Sequence, residues 1–103
     1  MSAGEKPGTD VALVRPVSAH GEEVSLITLR APVVEDFMQL GQPFLLVVDE
    51  DETAIRIQPK TVAQYIVRLG QVPMSTVKSL TLADFAKCQA VIVGFFGANA
   101  AEQ

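Results

Sequence analysis

The sequence predicts an α+β domain with an N-terminal β-hairpin, up to one further hairpin, and three to four short helices. Segments rich in β-branched residues dominate the first half of the chain, whereas apolar residues recur at helical spacing in the second half. The chain has 103 residues, 49% of them hydrophobic, which suits one domain with a real core. We expect a single domain over residues 10–97, with flexible tails at 1–9 and 98–103.

Two segments near the N-terminus predict the first hairpin. Residues 11–17 and 23–30 are rich in β-formers, and the link between them, SAHGE, contains a glycine suited to a hairpin loop. Pro16 has no amide hydrogen, so the first strand is expected to be an edge or to end there. In the second strand, alternation places Leu26 and Leu29 on opposite faces, which predicts that both faces are partly covered.

The next segment, 31–41, changes from strand to helical periodicity. Pro32 suits a first helical turn, Asp36 lies where the helix dipole favours an acid, and Gly41 ends the helix. Arg30 and Asp36 are placed to pair across the strand-to-helix turn and to fix its geometry. The apolar stripe predicted for this helix consists of Val33, Phe37 and Leu40.

An acidic run separates the next two apolar segments. Residues 44–48 and 53–57 flank Asp49 to Glu52, which are all acids and favour a solvated hairpin tip. A calcium or magnesium site is the alternative, but the run lacks the alternating spacing and the glycine of a calcium loop.

Pro59 opens an amphipathic helix over 60–70, which Gly70 is expected to close. Its apolar positions follow helical spacing: Val62, Tyr65, Ile66 and Leu69. The pattern of residues 72–80 predicts a short helical turn, and Ser75 is the candidate for its capping residue.

The last element starts at Thr81, with Asp84 three residues later in a weak version of the capping box. The segment AVIVGFF near its end is rich in β-branched residues and by itself suggests a strand. A strand beginning at Val91 would leave the earlier apolar positions without a shared face, so a helix ending near Gly97 is favoured. The helical stripe comprises Leu82, Phe85, Cys88, Val91, Ile92, Phe95 and Phe96.

The chain offers little for catalysis or cofactor binding. Its single histidine, His20, falls in the first hairpin loop, so we interpret it as an exposed turn residue rather than a base. Its single cysteine, Cys88, cannot form an internal disulfide, and we interpret it as a buried apolar residue rather than a reactive thiol. No glycine-rich phosphate loop is present. The sequence therefore predicts no catalytic residue, metal or cofactor.

The charge distribution narrows the choice of partners. Net charge is −4, and the basic residues are scattered and never adjacent, which argues against nucleic acid as a direct ligand. No apolar run approaches the roughly 18 residues that span a bilayer. The first ten residues contain no apolar stretch, so a cytoplasmic location is expected.

The order of these motifs resembles the phage tail assembly chaperones of Mu-like prophages and related contractile-tailed phages. The resemblance extends from Val11 to Phe96. Its most specific parts are the strand-to-helix turn at 26–36, the "LG-P" break at 40–43, and the C-terminal segment at 80–96.

The resemblance implies a non-enzymatic protein that is made in the host bacterial cytoplasm and is absent from the mature virion. Such a protein binds the tape measure protein, keeps its hydrophobic segments soluble, and helps to recruit tail tube subunits. Self-association is also expected, and a longer form made by ribosomal frameshifting is common in such systems. The alternative is a small structural or adaptor subunit of the tail, and a small hydrolase ranks third.

The candidate partner-binding residues are apolar, and each has an alternative role in the core. They are Leu26, Leu29, Tyr65, Phe95 and Phe96. A chaperone needs accessible apolar surface and a net charge that keeps it soluble, and both are available in this chain. The residues expected to fix the local structure are Arg30, Pro32, Asp36 and Asp84.

Overall fold

The computed structural model describes the backbone of residues 8–101 and the side chains of residues 8–96. The elements are β1 (Gly8–Ala19), β2 (Glu22–Arg30), α1 (Val34–Leu40), β3 (Phe44–Val48), β4 (Thr53–Ile57), α2 (Pro59–Gly70), α3 (Met74–Lys78) and α4 (Leu82–Ala101). The predicted α+β class and both predicted hairpins are confirmed. Of the predicted tails, residues 1–7 and 102–103 lie outside the described residues, whereas 8–9 belong to β1 and 98–101 to the α4 backbone.

The first hairpin is longer and tighter than the sequence indicated. β1 and β2 are joined by two residues, His20 and Gly21, which both have positive φ angles (53° and 80°). This conformation matches the right-handed twist of the strands, and glycine adopts it without steric cost. The expected five-residue link was therefore wrong, because the ladder continues to the pair Ala19 and Glu22.

The register of this hairpin shifts once. Ala12 pairs with Leu26, but the next pair is Val17 with Val24, so β1 carries extra residues at that point. Pro16 lies inside this irregular segment rather than at the end of the strand. Bulges and edges are the places where a strand tolerates proline, because no ladder hydrogen bond is lost there.

The core lies between one face of the first hairpin and the helices. It contains Val11, Ala19, Ile27, Leu29, Val62, Tyr65, Ile66, Leu69, Val72, Val77, Cys88 and Ile92. The predicted α2 stripe is thus confirmed in full. Gly70 permits close approach of α2 and β2, because a Cβ at this position would lie 3.0 Å from Ile27 Cγ2 and 3.3 Å from Leu29 Cδ2.

Helix boundaries account for several smaller differences. Pro32 precedes α1 instead of lying in its first turn, and Gly41 follows the helix with a φ of 81°, as predicted for its end. Gly70 is the last residue of α2, and Gln71 takes the left-handed conformation in its place.

The last two helices also begin or end differently from the prediction. Pro73, not Ser75, occupies the N-cap of α3, and Ser75 lies within the helix. The α4 backbone continues to Ala101, beyond Gly97. The segment AVIVGFF is helical, which confirms the helix over the alternative strand.

Candidate functional site

Helix α1 exposes its apolar side and buries one of its two acids, Asp36. Val34 and Met38 are 73% and 77% exposed, and Phe37 is also exposed, whereas Asp36 is the buried residue of this helix. Of the predicted apolar stripe, Val33 and Phe37 are exposed, whereas Leu40 is half-buried and packs against the core. We call Val33, Val34, Phe37 and Met38 the α1 apolar surface.

The Asp36 carboxylate explains this inverted orientation. Arg30 donates two hydrogen bonds to it, at 2.8 and 3.0 Å, and Arg68 Nε donates a third at 2.5 Å. The N-cap amide of Val33 donates a fourth at 2.8 Å. The predicted pairing of Arg30 with Asp36 is present, and the contribution of Arg68 from α2 was not foreseen. A buried carboxylate needs such partners, so α1 is fixed with its acid inward.

The electrostatics of this cluster favour the charged carboxylate. The hydrogen bonds from Arg30 hold the pKa of Asp36 far below its usual range, and those from Val33 and Arg68 act in the same direction against the effect of burial. The same pairing raises the pKa of Arg30. Asp36 and Arg30 therefore both stay ionised at neutral pH.

Aromatic side chains extend the α1 apolar surface towards α4. The Phe96 ring lies 6.2 Å from that of Phe37 and 5.5 Å from that of Tyr65, the latter pair edge to face. Tyr65 is buried, and its hydroxyl donates to the Gly41 carbonyl at 2.5 Å. A shallow groove lies here, lined by Pro32, Val33, Val34, Phe37, Phe95 and Phe96. Phe96 thus links the core to an accessible groove.

The second hairpin is the other large apolar surface. Leu45, Leu46, Val47, Val48 and Ile55 are all exposed. They lie on both faces of the ladder, because neighbouring residues of a strand point to opposite sides. Among the described residues, Ile57 is the hairpin side chain that packs against the core cluster. The acidic tip predicted as solvated is exposed throughout.

A second apolar groove lies between α2, α3 and the start of α4. Its apolar lining includes Ala63, Met74, Val77, Leu80, Leu82 and Phe85. Leu82 stands at its rim and is 87% exposed. Two lysines, Lys60 and Lys78, also line this groove.

Asp84 links the first turn of α4 to the irregular segment of β1. Its amide donates to Thr81 Oγ1 at 3.1 Å, as expected for a helix start. Its carboxylate, however, accepts from the amides of Val14 at 2.9 and 3.1 Å and of Arg15 at 3.2 Å. Burial alone would raise the pKa of Asp84, but these hydrogen bonds outweigh it and lower the pKa. Asp84 therefore satisfies amides that the register shift removes from the ladder.

The structure divides the predicted partner-binding residues into two groups. Leu29 and Tyr65 are fully buried, so a partner reaches them only if the core opens. Leu26 is exposed, and Phe95 and Phe96 are half-buried at the groove. Sequence reasoning missed Val34 and Met38. The signal that could have found them is the acid at position 36, which cannot be buried with its partners unless the apolar side of α1 turns outward.

Neither the single cysteine nor the single histidine lies in an arrangement that indicates catalysis. Burial raises the pKa of the Cys88 thiol to about 11, and Cys88 is fully buried. His20 is exposed in the turn, with Nε2 3.1 Å from the Gln71 carbonyl. Within residues 8–96, no group of three or more His, Cys, Asp or Glu side chains is arranged to hold a metal ion. No helix in the described part of the chain combines the length and apolarity needed to cross a membrane.

Comparison with known proteins supplies the family. The model of the family described as "phage tail assembly chaperone proteins, E, or 41 or 14" matches residues 10–97. No curated protein and no solved structure matches the chain. The family match covers both hairpins, helices α1 to α3 and most of α4. The chain therefore belongs to the phage tail assembly chaperone family.

Proposed function

We propose that this protein is a non-enzymatic chaperone that binds the tape measure protein and keeps its hydrophobic segments soluble while the tail assembles. In this proposal it acts in the host bacterial cytoplasm, helps to recruit tail tube subunits, and is absent from the mature virion. Family membership supports a role in tail assembly. The client and the timing are our proposal.

The observation that carries the proposal is the outward orientation of α1. A seven-residue helix would ordinarily bury its apolar side, but here the hydrogen bonds to Asp36 hold the acid inward. Val34 and Met38 stand four residues apart, so they lie on one face of the helix and are both strongly exposed. A fixed apolar surface of this kind indicates a protein-binding site.

The chemistry of the surface suits an apolar helical segment as client. Phe37 and Phe96 border the groove beside α1, and aromatic rings there offer large contact areas without charge. Helix-in-groove binding uses apolar anchors of this kind. The net charge of −4 keeps the free protein soluble despite the exposed surface.

Co-expression with the tape measure protein tests the proposal. We expect the wild-type chain to raise the soluble fraction of the tape measure protein, and the double variant Val34→Ser/Met38→Ser to lose this effect while melting like the wild type. The matched control is Leu82→Ser, which removes an equally exposed apolar side chain at another place. If the double variant solubilises the tape measure protein as well as Leu82→Ser does, α1 is not the binding surface.

Mass spectrometry of purified virions tests the location and the alternative role. A chaperone is expected in infected-cell lysate and missing from finished particles. Detection of the chain in virions at stoichiometric amounts would overturn the chaperone proposal in favour of a structural or adaptor subunit of the tail.

A further inference from the structure

We infer that two copies of this protein associate through the second hairpin, with the free edge of β4 pairing antiparallel to β4 of the other copy. The self-association adds to the proposed function. It is tested on the chain alone, so its failure is distinguishable from failure of client binding.

The hairpin lacks the support that a two-stranded sheet requires. An isolated two-stranded hairpin is marginally stable in water, and it needs further strands or a packed helix. The first hairpin has that support from α2 and α4, whereas β3 and β4 expose Leu46 and Ile55 on one face and Leu45 and Val47 on the other. An exposed apolar edge strand is a ready template for pairing with another chain.

The hydrogen-bond pattern shows which backbone groups are available at the β4 edge. The amide of Asp49 donates to the Glu52 carbonyl at 2.7 Å, and that of Gln58 donates to the Pro43 carbonyl at 2.9 Å. Bonded and non-bonded pairs alternate along an antiparallel ladder. The pair of Leu46 and Ile55 lies three pairs from each of these two bonded pairs, so it is a non-bonded pair. The amide and carbonyl of Ile55 therefore point away from β3. Thr53 and Ile57 share this direction. A second β4 can therefore pair with Ile55 opposite Ile55.

This register is self-complementary, as a two-fold interface requires. It places Ile55 beside its own counterpart, and Thr53 of each copy opposite Ile57 of the other. Both Ile55 side chains then lie on the same face of a four-stranded sheet and cover each other's exposed surface. The result is an apolar contact supported by a ladder of backbone hydrogen bonds.

The charges of the hairpin favour this arrangement over the alternatives. Arg56 and Glu52 point to the same face, and neither forms an ion pair within the described residues. In the antiparallel dimer, Arg56 lies opposite Ala54 of the other copy, and its two diagonal neighbours there are Glu52 and Arg56. Its long side chain can turn towards Glu52 and away from the other Arg56. A parallel dimer would instead bring two acidic tips together. The β3 edge has no basic residue at its base, since Gly41 to Pro43 precede it.

Light scattering coupled to size exclusion measures the oligomeric state. We expect the full chain to elute with twice its 11.0 kDa mass. The variant Ile55→Pro removes an outward-pointing amide from the β4 edge, and we expect it to weaken dimerisation by about tenfold or more. The matched control is Leu46→Pro, which removes an outward-pointing amide from the β3 edge and should leave the dimer intact. A dimer lost in the control and kept in Ile55→Pro would assign the interface to β3 and overturn the inference.

A charge exchange supplies a test that does not depend on proline. Arg56→Glu and Glu52→Arg should each weaken the dimer, and the double variant with both changes should restore it. Ile55→Cys adds a direct measurement, because the two Cα atoms of this hydrogen-bonded pair would lie about 5.5 Å apart, which permits a disulfide under mild oxidation. The buried Cys88 should not compete with it.

Two results would overturn the inference. The first is a chain that remains monomeric at every concentration that can be measured, with no disulfide-linked Ile55→Cys dimer. The second is a monomer whose Ile55→Pro variant loses tape measure binding, which would assign the β4 edge to the client instead of a second copy.

Discussion

The two hairpins of this protein have similar local sequences and opposite environments. β1–β2 buries Ile27 and Leu29 under helices, while β3–β4 leaves Leu46 and Val48 in solvent. Both are antiparallel ladders rich in β-branched and aliphatic residues. The difference comes from what covers them, which is not encoded in the strands themselves.

Anchoring by polar side chains adds to this contrast. Asp84 of α4 binds the amides of β1, and Asp36 binds Arg30 at the end of β2. At the base of the second hairpin, the Gln58 side chain donates an exposed hydrogen bond to the Gln42 carbonyl at 3.0 Å. The first hairpin therefore contributes side chains to the core, whereas the second hairpin is attached to the core mainly at its base and is otherwise exposed.

The largest expected difference is in the response to truncation. Leu29→Ala removes a fully buried side chain and should lower the free energy of unfolding by about 2–5 kcal/mol. Leu46→Ala, the same change in the exposed hairpin, should alter it by about 0.5 kcal/mol or less. Urea denaturation at low protein concentration, where the proposed dimer would be dissociated, measures both. Equal losses would show that the second hairpin is packed as tightly as the first.

Breaking the Asp36 cluster tests how the first hairpin is joined to the helices. Asp36→Asn leaves Arg30 and Arg68 without their carboxylate, and we expect a loss of about 2–3 kcal/mol at neutral pH. The control is Asp10→Asn, because Asp10 accepts one exposed hydrogen bond from Thr28 and its loss should cost much less. Chemical denaturation at fixed pH distinguishes the two.

Asp36→Asn should also change how the stability of the protein depends on pH. The folded pKa of Asp36 lies below its ordinary value of 3.8, so its stabilisation is present above that value and is lost as the pH falls through the folded pKa. We expect the wild type to lose stability more steeply than Asp36→Asn below about pH 4. The lowered pKa of Asp84 leaves a residual slope in both proteins. Parallel pH profiles would contradict the contribution of Asp36.

A smaller effect is expected at the turn of the first hairpin. Gly21 has a φ of 80°, and a Cβ added there would have no atom within 4 Å, so Gly21→Ala meets no clash but is strained by the left-handed backbone. We expect a loss of about 1–2 kcal/mol. Gly94→Ala in α4 is the control, because its Cβ would also meet nothing within 4 Å and its backbone is helical. That change should be neutral or stabilising. Thermal melts compare the two variants.

Hydrogen exchange provides the mildest comparison, since it changes no residue. Amides of β3 and β4 should exchange through local opening, at a lower free energy than amides of β2 beside Leu29. Exchange is measured by NMR at low and at high protein concentration. Protection of Ile55 that rises with concentration would support the proposed pairing, and protection equal to that of β2 in the monomer would remove the contrast between the hairpins.

Sequence patterns predicted the parts of the fold in which periodicity and burial agree. The α2 stripe and the helical nature of AVIVGFF follow from spacing alone, because these helices face a large core. The α1 stripe has the same pattern and the opposite outcome. Its orientation depends on Arg68, which lies 32 residues from Asp36 along the chain. The acid at position 36 is visible in the local sequence, but its partner in α2 is not.

The candidate site was predictable to a similar extent. Arg30 and Asp36 are close in sequence, so their pairing was foreseen, whereas the accessibility of Val34 and Met38 was not. Only one of the two roles of Asp84 was predicted from the sequence. Its place at the start of α4 was visible, but its hydrogen bonds to the β1 amides depend on a register shift that only the paired strands reveal.

The contact between Asp84 and Val14 has a consequence for how the protein is made. The two residues are separated by 70 positions, so the amides of Val14 and Arg15 gain their carboxylate partner only after the first turn of α4 has been synthesised. Closing so long a loop early is entropically unfavourable, and folding dominated by distant contacts is slow. Until α4 is present, the amides of Val14 and Arg15 lack this carboxylate partner. The final hydrogen bonding of β1 therefore requires a helix that is synthesised about 70 residues later.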